Sequence, residues 1–319
     1  GQKVRDPKKE NITDFHMDIA ASIQEVTEEI VLKICKFAKK EFKIENLCLA
    51  GGVALNCVAN GKILQNNIFK NIWIQPAAGD AGCALGAALA YWHIDKDKPR
   101  LVEKEDSMQG SLLGPNFSNT FIKEYLNKVG ANYIELNEKE IIEKTSQEIT
   151  NGKAIGWFQG RSEFGPRALG NRSILASPLI KDMKDRINKK IKFRENFRPF
   201  APAVIEEQTN EFFVYDGKSP FMNIVRPVRE KYKNKLPAIT HIDGTARIQT
   251  VNKKHSRLFW ELINEFGKLT KFPVLLNTSF NIMGEPIVEN PSQAINCFKK
   301  TDLDYLIIGN FVVRNDKKK

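Results

Sequence analysis

The spacing of apolar residues along the first hundred positions predicts helices alternating with short strands. Between residues 17 and 42 apolar side chains recur every three or four positions, which predicts an amphipathic helix. Two short apolar runs, Asn46–Ala50 and Asn71–Gln75, each lead through glycine into helical stretches around Ala54–Leu64 and Ala81–Tyr91. A repeat of strand, glycine turn and helix indicates an α/β fold.

The pattern changes at His93–Pro115, which is charged, lacks a period and contains proline and glycine. We therefore predict a domain boundary near residue 105, with domains over 1–105 and 106–319. Strands and helices alternate less regularly in the second part. The predicted strands there are Tyr133–Leu136, Ala154–Phe158, Ala201–Ile205, Arg247–Val251, Val274–Asn277 and Tyr305–Ile308. The predicted helices are Glu138–Thr150, Ile180–Ile191, His255–Leu269 and Pro291–Lys299.

Composition bounds the class of protein. The chain has 319 residues, 42% of them hydrophobic, so it can bury a substantial core. No apolar run reaches the roughly 18 residues that a membrane-spanning helix needs, and the polar N-terminus has no signal-peptide core. The five cysteines lie in apolar contexts without a CxxC pair. We expect buried free thiols in a reducing compartment, and hence a cytoplasmic protein with no membrane contact.

The formal net charge of +11 has two interpretations. One is a surface for nucleic acid or an acidic membrane. The other is a lysine-rich protein with an anionic small ligand. The lysines are scattered and no nucleic-acid-binding motif is present, so we favour the second.

The stretch Gly160–Leu175, GRSEFGPRALGNRSIL, combines glycines with Arg161, Arg167 and Arg172. Glycine permits close backbone approach, and a guanidinium group can bind phosphate or carboxylate through two hydrogen bonds. The alternative is a surface loop whose arginines pair with nearby acids. The Gly-Pro pair before Arg167 restricts where its side chain can point.

The stretch Lys189–Val204 alternates cations with aromatic residues. On an extended segment Lys192, Arg194 and Arg198 would share one face and line a groove. A solvated charge run is the usual alternative, but the three phenylalanines of the segment do not suit one.

Polar groups line one further predicted strand and follow another. Arg247 and Gln249 share one strand face, and the end of the next strand delivers Asn277, Ser279 and Asn281. Short hydrogen-bonding side chains at a strand end suit a phosphate, amide or ribose; the alternative is a loop of Asx and ST turns.

Two glycine turns in the first part are less specific. The pair Gly51 and Gly52 after a strand could present N–H groups to a phosphate, or could simply form a tight turn. Asp80 stands at a helix start between glycines. It could cap the helix, ligate a metal or contact a nucleotide, and by itself it favours the cap.

Six motifs occur in an order that resembles the NodU/CmcH-type O-carbamoyltransferases, from about His16 to the C-terminal region. They are LAGGVALNCVANGKI, IWIQPAAGDAGCALGAA, GRSEFGPRALGNRSILA, KFRENFRPFAPAV, HIDGTARIQTV and LLNTSFNIMGEPIV. The resemblance implies the C-terminal piece of an actin/Hsp70-like (Kae1-like) ATPase domain. A YrdC-like α/β domain with a twisted mixed sheet would follow. It also implies that the second domain converts carbamoyl phosphate and ATP to carbamoyl adenylate. The first domain, with a divalent metal such as iron or magnesium, would transfer the carbamoyl group to a hydroxyl.

The resemblance also assigns residues by motif match. Those implied for phosphate and carbamoyl chemistry are Arg167, Lys192, Arg198 and Arg247. Those implied for substrate or nucleotide binding are Gly51, Gly52, Asn56, Arg161, Asn277 and Ser279. The metal ligand implied is Asp80, which reverses the preference for a simple cap.

Family members extend considerably further at the N-terminus, where an HxxxH helix supplies further metal ligands. We therefore expect this chain to be a fragment, or to need a separate chain that supplies the N-terminal half. Its metal site would be incomplete, while adenylation could survive. The other expected partners are a hydroxyl-bearing acceptor such as a sugar or antibiotic, and a second copy in a homodimer.

Two other functions remain open from the sequence. A related enzyme could form threonylcarbamoyl adenylate for tRNA modification, which would suit the positive charge. A non-enzymatic basic module could bind RNA or DNA, which would give steeply salt-dependent affinity.

Overall fold

The computed structural model describes residues 2–6, 9–102 and 106–315, so the predicted boundary at residue 105 lies outside the described residues. Contacts divide the chain into two units. One comprises Gly1–Leu49 with Val58–Trp73, and the other Ala50–Cys57 with Ile74–Lys319. Within the described ranges, no helix has the length and apolar character needed to cross a bilayer.

The first unit confirms the helices and strands predicted for it. Its elements are α1 (Asp14–Phe42), β1 (Asn46–Leu49), α2 (Cys57–Gln65) and β2 (Asn71–Ile74). The two strands form a two-stranded sheet. A small core of Cys35, Ile63 and Phe69 packs against α1, α2 and the strands. Lys43, in the left-handed conformation, ends α1.

Helix α1 turns an unexpected face toward the core. The residues packed in the core are Val31, Leu32 and Cys35. The regular apolar series that predicted the helix lies elsewhere, and its members are about half to two-thirds exposed, from 47% at Val26 to 66% at Phe37. We call this series the α1 stripe; it consists of Ile19, Ile23, Val26, Ile30, Ile34 and Phe37.

The second unit is built on a nine-stranded sheet, which confirms the predicted mixed α/β architecture. The strands are β3 (Tyr133–Glu135), β4 (Ile155–Phe158), β5 (Arg172–Ala176), β6 (Ala201–Ile205), β7 (Ile224–Pro227), β8 (Thr245–Val251), β9 (Val274–Ser279), β10 (Tyr305–Ile308) and β11 (Phe311–Arg314). Their order is β3-β11-β10-β4-β5-β9-β6-β8-β7. The pairs β4–β10 and β6–β8 are parallel, and the other neighbours are antiparallel.

The second unit also contains helices, several of which cover the two faces of this sheet. They are α3 (Ala81–Ala90), α4 (Asn119–Lys128), α5 (Glu138–Thr150), α6 (Met183–Ile187), α7 (Thr209–Phe212), α8 (Glu230–Lys233), α9 (Arg257–Thr270) and α10 (Pro291–Lys300). Apolar residues of α5 and α9 share one core with Trp157. Those of α4, α6 and α10 share the other with the next residue, Phe158. Adjacent strand residues therefore face opposite cores, which explains the continuous apolar runs of the central strands.

Two helix starts follow from local chemistry. Asn137 caps α5 and exchanges hydrogen bonds with Glu140 in a capping box. Asn290 caps α10, and Pro291 occupies its first turn, as the sequence indicates.

Three expectations need correction. The α-helix predicted over Ile180–Ile191 is confined to α6 and continues as a π-helical turn, Asn188–Lys192. The segment that follows is not extended, because Phe193 takes a left-handed conformation with φ 51°. The thiols are not all buried: Cys48 and Cys83 are exposed, although all five are free.

Candidate functional site

The arginine-rich stretch forms a tightly packed loop before β5. Its glycines are required by neighbouring protein atoms. A Cβ atom at Gly165, where φ is 138°, would lie 2.8 Å from the Pro76 carbonyl oxygen. A Cβ at Gly170, where φ is 112°, would lie 2.2 Å from the ring of Phe259. These glycines thus admit protein backbone and a phenylalanine ring, and the first brings the loop against the segment that precedes Asp80.

A carboxylate of the loop itself occupies its concave side. Glu163 Oε1 accepts hydrogen bonds from the backbone N–H groups of Leu169 at 2.7 Å and Asn171 at 2.8 Å. The N–H of Arg172 is a third donor, at 3.3 Å. The backbone donors that we expected near a ligand are therefore already paired.

Two side chains from the sheet hold the same loop by its carbonyl groups. Gln249, on β8, donates to the Leu169 oxygen at 2.7 Å. Asn277, on β9, donates to the Ala168 oxygen at 3.3 Å and to the Gln249 side chain at 2.7 Å. Asn277 is only 1% exposed, so in this structure its amide contacts protein rather than solvent.

Arg172 holds the loop by binding backbone carbonyl groups. Its guanidinium is fully buried and lies over the ring of Phe158, 3.6 Å from the centroid. Burial lowers its pKa to about 10. It donates to backbone carbonyl oxygens from separate segments of the chain, those of Pro115, Gln159, Gly160, Asn171 and Glu289. We conclude that this arginine holds backbone in place.

Arg167, Arg194 and Arg247 form a group of guanidiniums near one another, which we call the cation cluster. Burial, together with the charges of Arg167 and Arg194, lowers the pKa of Arg247 to about 10. Within the described part of the chain, neither Arg167 nor Arg247 forms an ion pair with a carboxylate. The Nε atom of Arg167 is buried without a hydrogen-bond partner. Mutually repelling cations with an unused donor are typical of a site that binds an anion.

A cysteine from the motif LAGGVALNCVANGKI contacts the cation cluster. The Cys57 side chain, which begins α2, hydrogen-bonds to Arg247. Arg194, which was not among the assigned residues, is fixed by a 2.7 Å bond from its Nε to Asn188 and lies 4.9 Å from the centroid of Phe200. Burial lowers the pKa of Arg194 to about 10, and the nearby Arg198 charge adds to the effect.

Lys192 is buried beside this cluster, 3% exposed. The π-helical turn directs its Nζ to Ser279, at 2.7 Å from the carbonyl and 3.1 Å from Oγ, and to Asn281, at 3.1 Å from the carbonyl and 2.5 Å from Oδ1. Burial lowers its pKa to about 7, and the charge of Arg194 contributes. The structure thus brings together two residues assigned from sequence, Lys192 and Ser279, and adds Asn281.

Arg198 and Arg161 lie at more exposed positions. Arg198 is half exposed and pairs with Glu195, with 2.8 Å between Nε and Oε2. Arg161 is exposed and donates to the Gly114 carbonyl oxygen at 2.9 Å. The assignments of Arg198 to phosphate and carbamoyl chemistry and of Arg161 to substrate binding stay predictions.

The glycine turns of the first motifs lie close to each other. Gly51, with φ 94°, donates its N–H to the Ala78 carbonyl at 2.8 Å. A Cβ at Gly51 or Gly52 would meet no described atom within 4 Å, so this turn borders open space. Asn56 follows the turn at the end of a short 3₁₀ segment.

Asp80 does not cap α3. Its backbone is helical and its side chain makes no capping hydrogen bond. The carboxylate is exposed. Nowhere in the described ranges do three or more histidine, cysteine, aspartate or glutamate side chains meet in a cluster suited to a metal ion.

Two protein-family models match the sequence. One, described as "Carbamoyltransferase C-terminus", matches residues 146–315, and the other, "Carbamoyltransferase N-terminus", matches residues 2–89. An uncharacterized protein of Synechocystis is 48% identical over 95% of this chain and 53% of its own length. Nodulation protein NolO of Bradyrhizobium diazoefficiens is 48% identical over 95% of this chain and 55% of its own. The chain thus spans about half the length of these curated relatives.

Among solved structures, the full-length HypF crystal structure in its phosphate- and nucleotide-bound form is similar to part of the chain. The match has 12% identity and a TM-score of 0.37, and covers 56% of this chain and 22% of that one. A likeness at that level carries no argument about ligands.

Proposed function

The chain belongs to the carbamoyltransferase family, and we propose that it takes part in moving a carbamoyl group from carbamoyl phosphate to a hydroxyl group. Carbamoyl phosphate, ATP and water would give carbamoyl adenylate, phosphate and pyrophosphate. The acceptor hydroxyl would then displace AMP. We assign the first reaction to residues 106–319, as a YrdC-like domain, and part of the second site to residues 1–105, as a Kae1-like piece.

The cation cluster is the observation that carries this proposal. Both donors of the first reaction are phosphate anions, and guanidinium groups match phosphate oxygens through paired hydrogen bonds. Arg167 and Arg247 have charges that no described carboxylate neutralises, and the buried Nε of Arg167 lacks a partner. Fixed cations in a partly buried site stabilise charge that develops on phosphate during transfer without having to reorganise.

Lys192, with Ser279 and Asn281, supplies the second half of the proposed donor site. Its ammonium is bound to oxygens of both residues, so a phosphate or carbamoyl group would meet a positioned cation with hydroxyl and amide groups beside it. Arg198 is proposed as an outer contact because its charge acts on Arg194. Positioning and electrostatics account for the proposed chemistry without a covalent protein intermediate.

The structural arguments for the remaining assigned residues are less direct. Gly51, Gly52 and Asn56 are proposed to contact a nucleotide, since their turn borders open space. Arg161 is proposed for substrate binding because it belongs to the same loop as Arg167, although its guanidinium is engaged with a carbonyl group. Asn277 is proposed to act by holding that loop.

The described residues do not fit a divalent metal site. Asp80 has an exposed carboxylate, but no cluster of three donor side chains occurs in the described ranges. We therefore derive no step through a metal.

The acceptor is proposed to be a hydroxyl-bearing molecule such as a sugar or antibiotic, as the resemblance of the six motifs implies. Residues of this chain match both family models, and no comparison points to a separate partner chain.

The test is pyrophosphate release from ATP with and without carbamoyl phosphate, in the wild-type chain and in Arg167→Ala. We expect release that depends on carbamoyl phosphate and falls by about a hundredfold in the variant, as when one stabilising donor is lost. Glu230→Ala, at an exposed position on α8, serves as a control that should keep wild-type release. Release that is equal in Arg167→Ala and wild type would contradict the proposed site.

A further inference from the structure

The loop that carries Arg167 has the backbone shape of an anion-binding nest. The chain bends at Gly165 and Gly170, where φ is positive, and backbone N–H groups around the second bend point to one place on the inner side of the loop. Such concave runs of N–H groups bind phosphates and other anions in many proteins. In this chain the inward N–H groups of Leu169, Asn171 and Arg172 converge on one carboxylate oxygen, that of Glu163.

The contacts that hold the middle of this loop, on either side of Arg167, are neutral. Ser111 accepts the Phe164 N–H at 2.7 Å, and Gln249 and Asn277 bind the carbonyl groups that follow Arg167. Two charged groups hold the ends of the loop: Arg172 binds carbonyl groups, and Glu163 is the one that binds the N–H groups on the inner side. Arg167 lies between the residue that supplies this carboxylate and the residues that donate to it.

We propose that Glu163 is a positioning residue for the anion site. Its carboxylate takes the place of a bound anion in the nest of residues 163–172 and so holds Arg167 toward Arg247 and the incoming phosphate. The nest is closed to substrate, and the phosphate is left to the guanidinium groups. This inference rests on the proposed function, because it assumes that Arg167 binds a substrate phosphate.

Loss of the carboxylate would leave three backbone donors unpaired and the loop free to change shape. Misplacement of a binding group by about an ångström can cost as much as a hundredfold in rate. Glu163→Gln retains one acceptor oxygen and the side-chain volume but loses the charge, which weakens each bond from the backbone. Glu163→Ala leaves a partly exposed space of the size of a small carboxylate.

The experiment measures binding of inorganic pyrophosphate to the full chain by calorimetry. Glu163→Ala is expected to bind at least about tenfold more weakly than wild type, the scale reported when groups that orient ligand-binding residues are removed. Added formate, compared with chloride at equal ionic strength, should restore binding in Glu163→Ala by occupying the nest. In wild type and in Glu163→Gln, where a side chain fills the space, formate should leave binding unchanged or weaken it by competition.

Rescue by formate separates positioning from general loss of structure, since an unfolded or merely destabilised variant would not respond to a small carboxylate. Unfolding midpoints of all variants are measured alongside. Should Glu163→Ala fail to fold, Glu163→Gln carries the test, with weaker binding expected at an unfolding midpoint close to that of wild type. Wild-type affinity in a folded Glu163→Ala, or weakened binding without formate rescue, would overturn the inference.

Arg167→Ala distinguishes this failure from failure of the proposed function. If wild type binds pyrophosphate and Arg167→Ala does not, the site stands whatever Glu163 does. If both bind equally, the site itself is wrong.

Discussion

At the scale of single residues, Lys192 is the group most sensitive to pH. Burial lowers its pKa to about 7. Because a lysine is charged below its pKa, the ammonium is present in mildly acidic solution and is lost as the pH rises through about 7. Arg194 and Arg247 stay charged over the same interval, since their pKa values are about 10.

We therefore predict that anion affinity falls as the pH rises from about 6 to about 8. Sulfate is the suitable probe because its own charge is constant across this interval, and calorimetry at several pH values measures its binding. Lys192→Met should bind sulfate weakly with little dependence on pH. Lys189→Met, which changes an exposed lysine of the same turn, should keep the wild-type profile. A wild-type profile in Lys192→Met would refute the assignment.

The sequence predicted only those site residues whose side chains are expected to contact a ligand directly. Arg167, Lys192 and Arg247 were assigned to phosphate chemistry by motif match, which suits their cationic side chains, and this assignment stays a prediction. Glu163 and Gln249 could not be, since their roles depend on which backbone groups the fold places opposite them. Even the glycines were assigned to ligand approach, whereas the structure uses them against Pro76 and Phe259.

At the scale of elements, α1 has more apolar surface than its own unit covers. The α1 stripe is half to two-thirds exposed along the helix, while the buried contacts come from another face. Contiguous apolar surface of this kind favours association with other apolar surfaces in water.

We predict that the isolated chain binds a hydrophobic fluorescent dye through this stripe. Replacing Ile23, Ile30 and Ile34 together by glutamine, a good helix former, should lower dye fluorescence while far-ultraviolet circular dichroism keeps its helical signal. A matched change of the polar residues Glu25 and Lys36 to glutamine should leave fluorescence unchanged. Equal fluorescence in the stripe variant and wild type would show that the dye binds elsewhere.

Prediction of the elements succeeded where one pattern dominated. The helix Glu138–Thr150 and the strand Ala201–Ile205 were placed correctly because capping and a continuous apolar run mark them. Strand β5 was missed because it opens with Arg172, a charge that only the carbonyls around it make compatible with burial. Strand β8 begins earlier than predicted because Thr245 pairs with Pro227 of β7, a partner that no local pattern reveals.

At the scale of the whole molecule, the two units have very different cores. The nine-stranded sheet is covered on both faces by large clusters, whereas the core of the first unit contains few fully buried side chains, among them Ile63. Burial of apolar area is the main favourable term in folding, so the second unit should be the more stable.

Hydrogen exchange followed by mass spectrometry should reveal this difference. We expect the amide hydrogens of peptides from α1 and α2 to exchange faster than those from β4, β5 and β9, since small cores open more readily. Peptides from α3, which has no buried side chain, provide an internal reference for weak protection. Equal protection in α1 and in the central strands would contradict the expected order of stability.

Arg172 has a consequence for any survey of inactivating substitutions. It lies five positions from Arg167 in the same motif, and replacing either by alanine should greatly reduce turnover. The causes differ: one change would remove a ligand contact, while the other would release carbonyl groups from separate stretches of chain. Lysine, which lacks a planar fork, could not restore that arrangement. A screen scored on activity alone would therefore class a structural brace as a catalytic group, and only a parallel measure of protein abundance would tell the two apart.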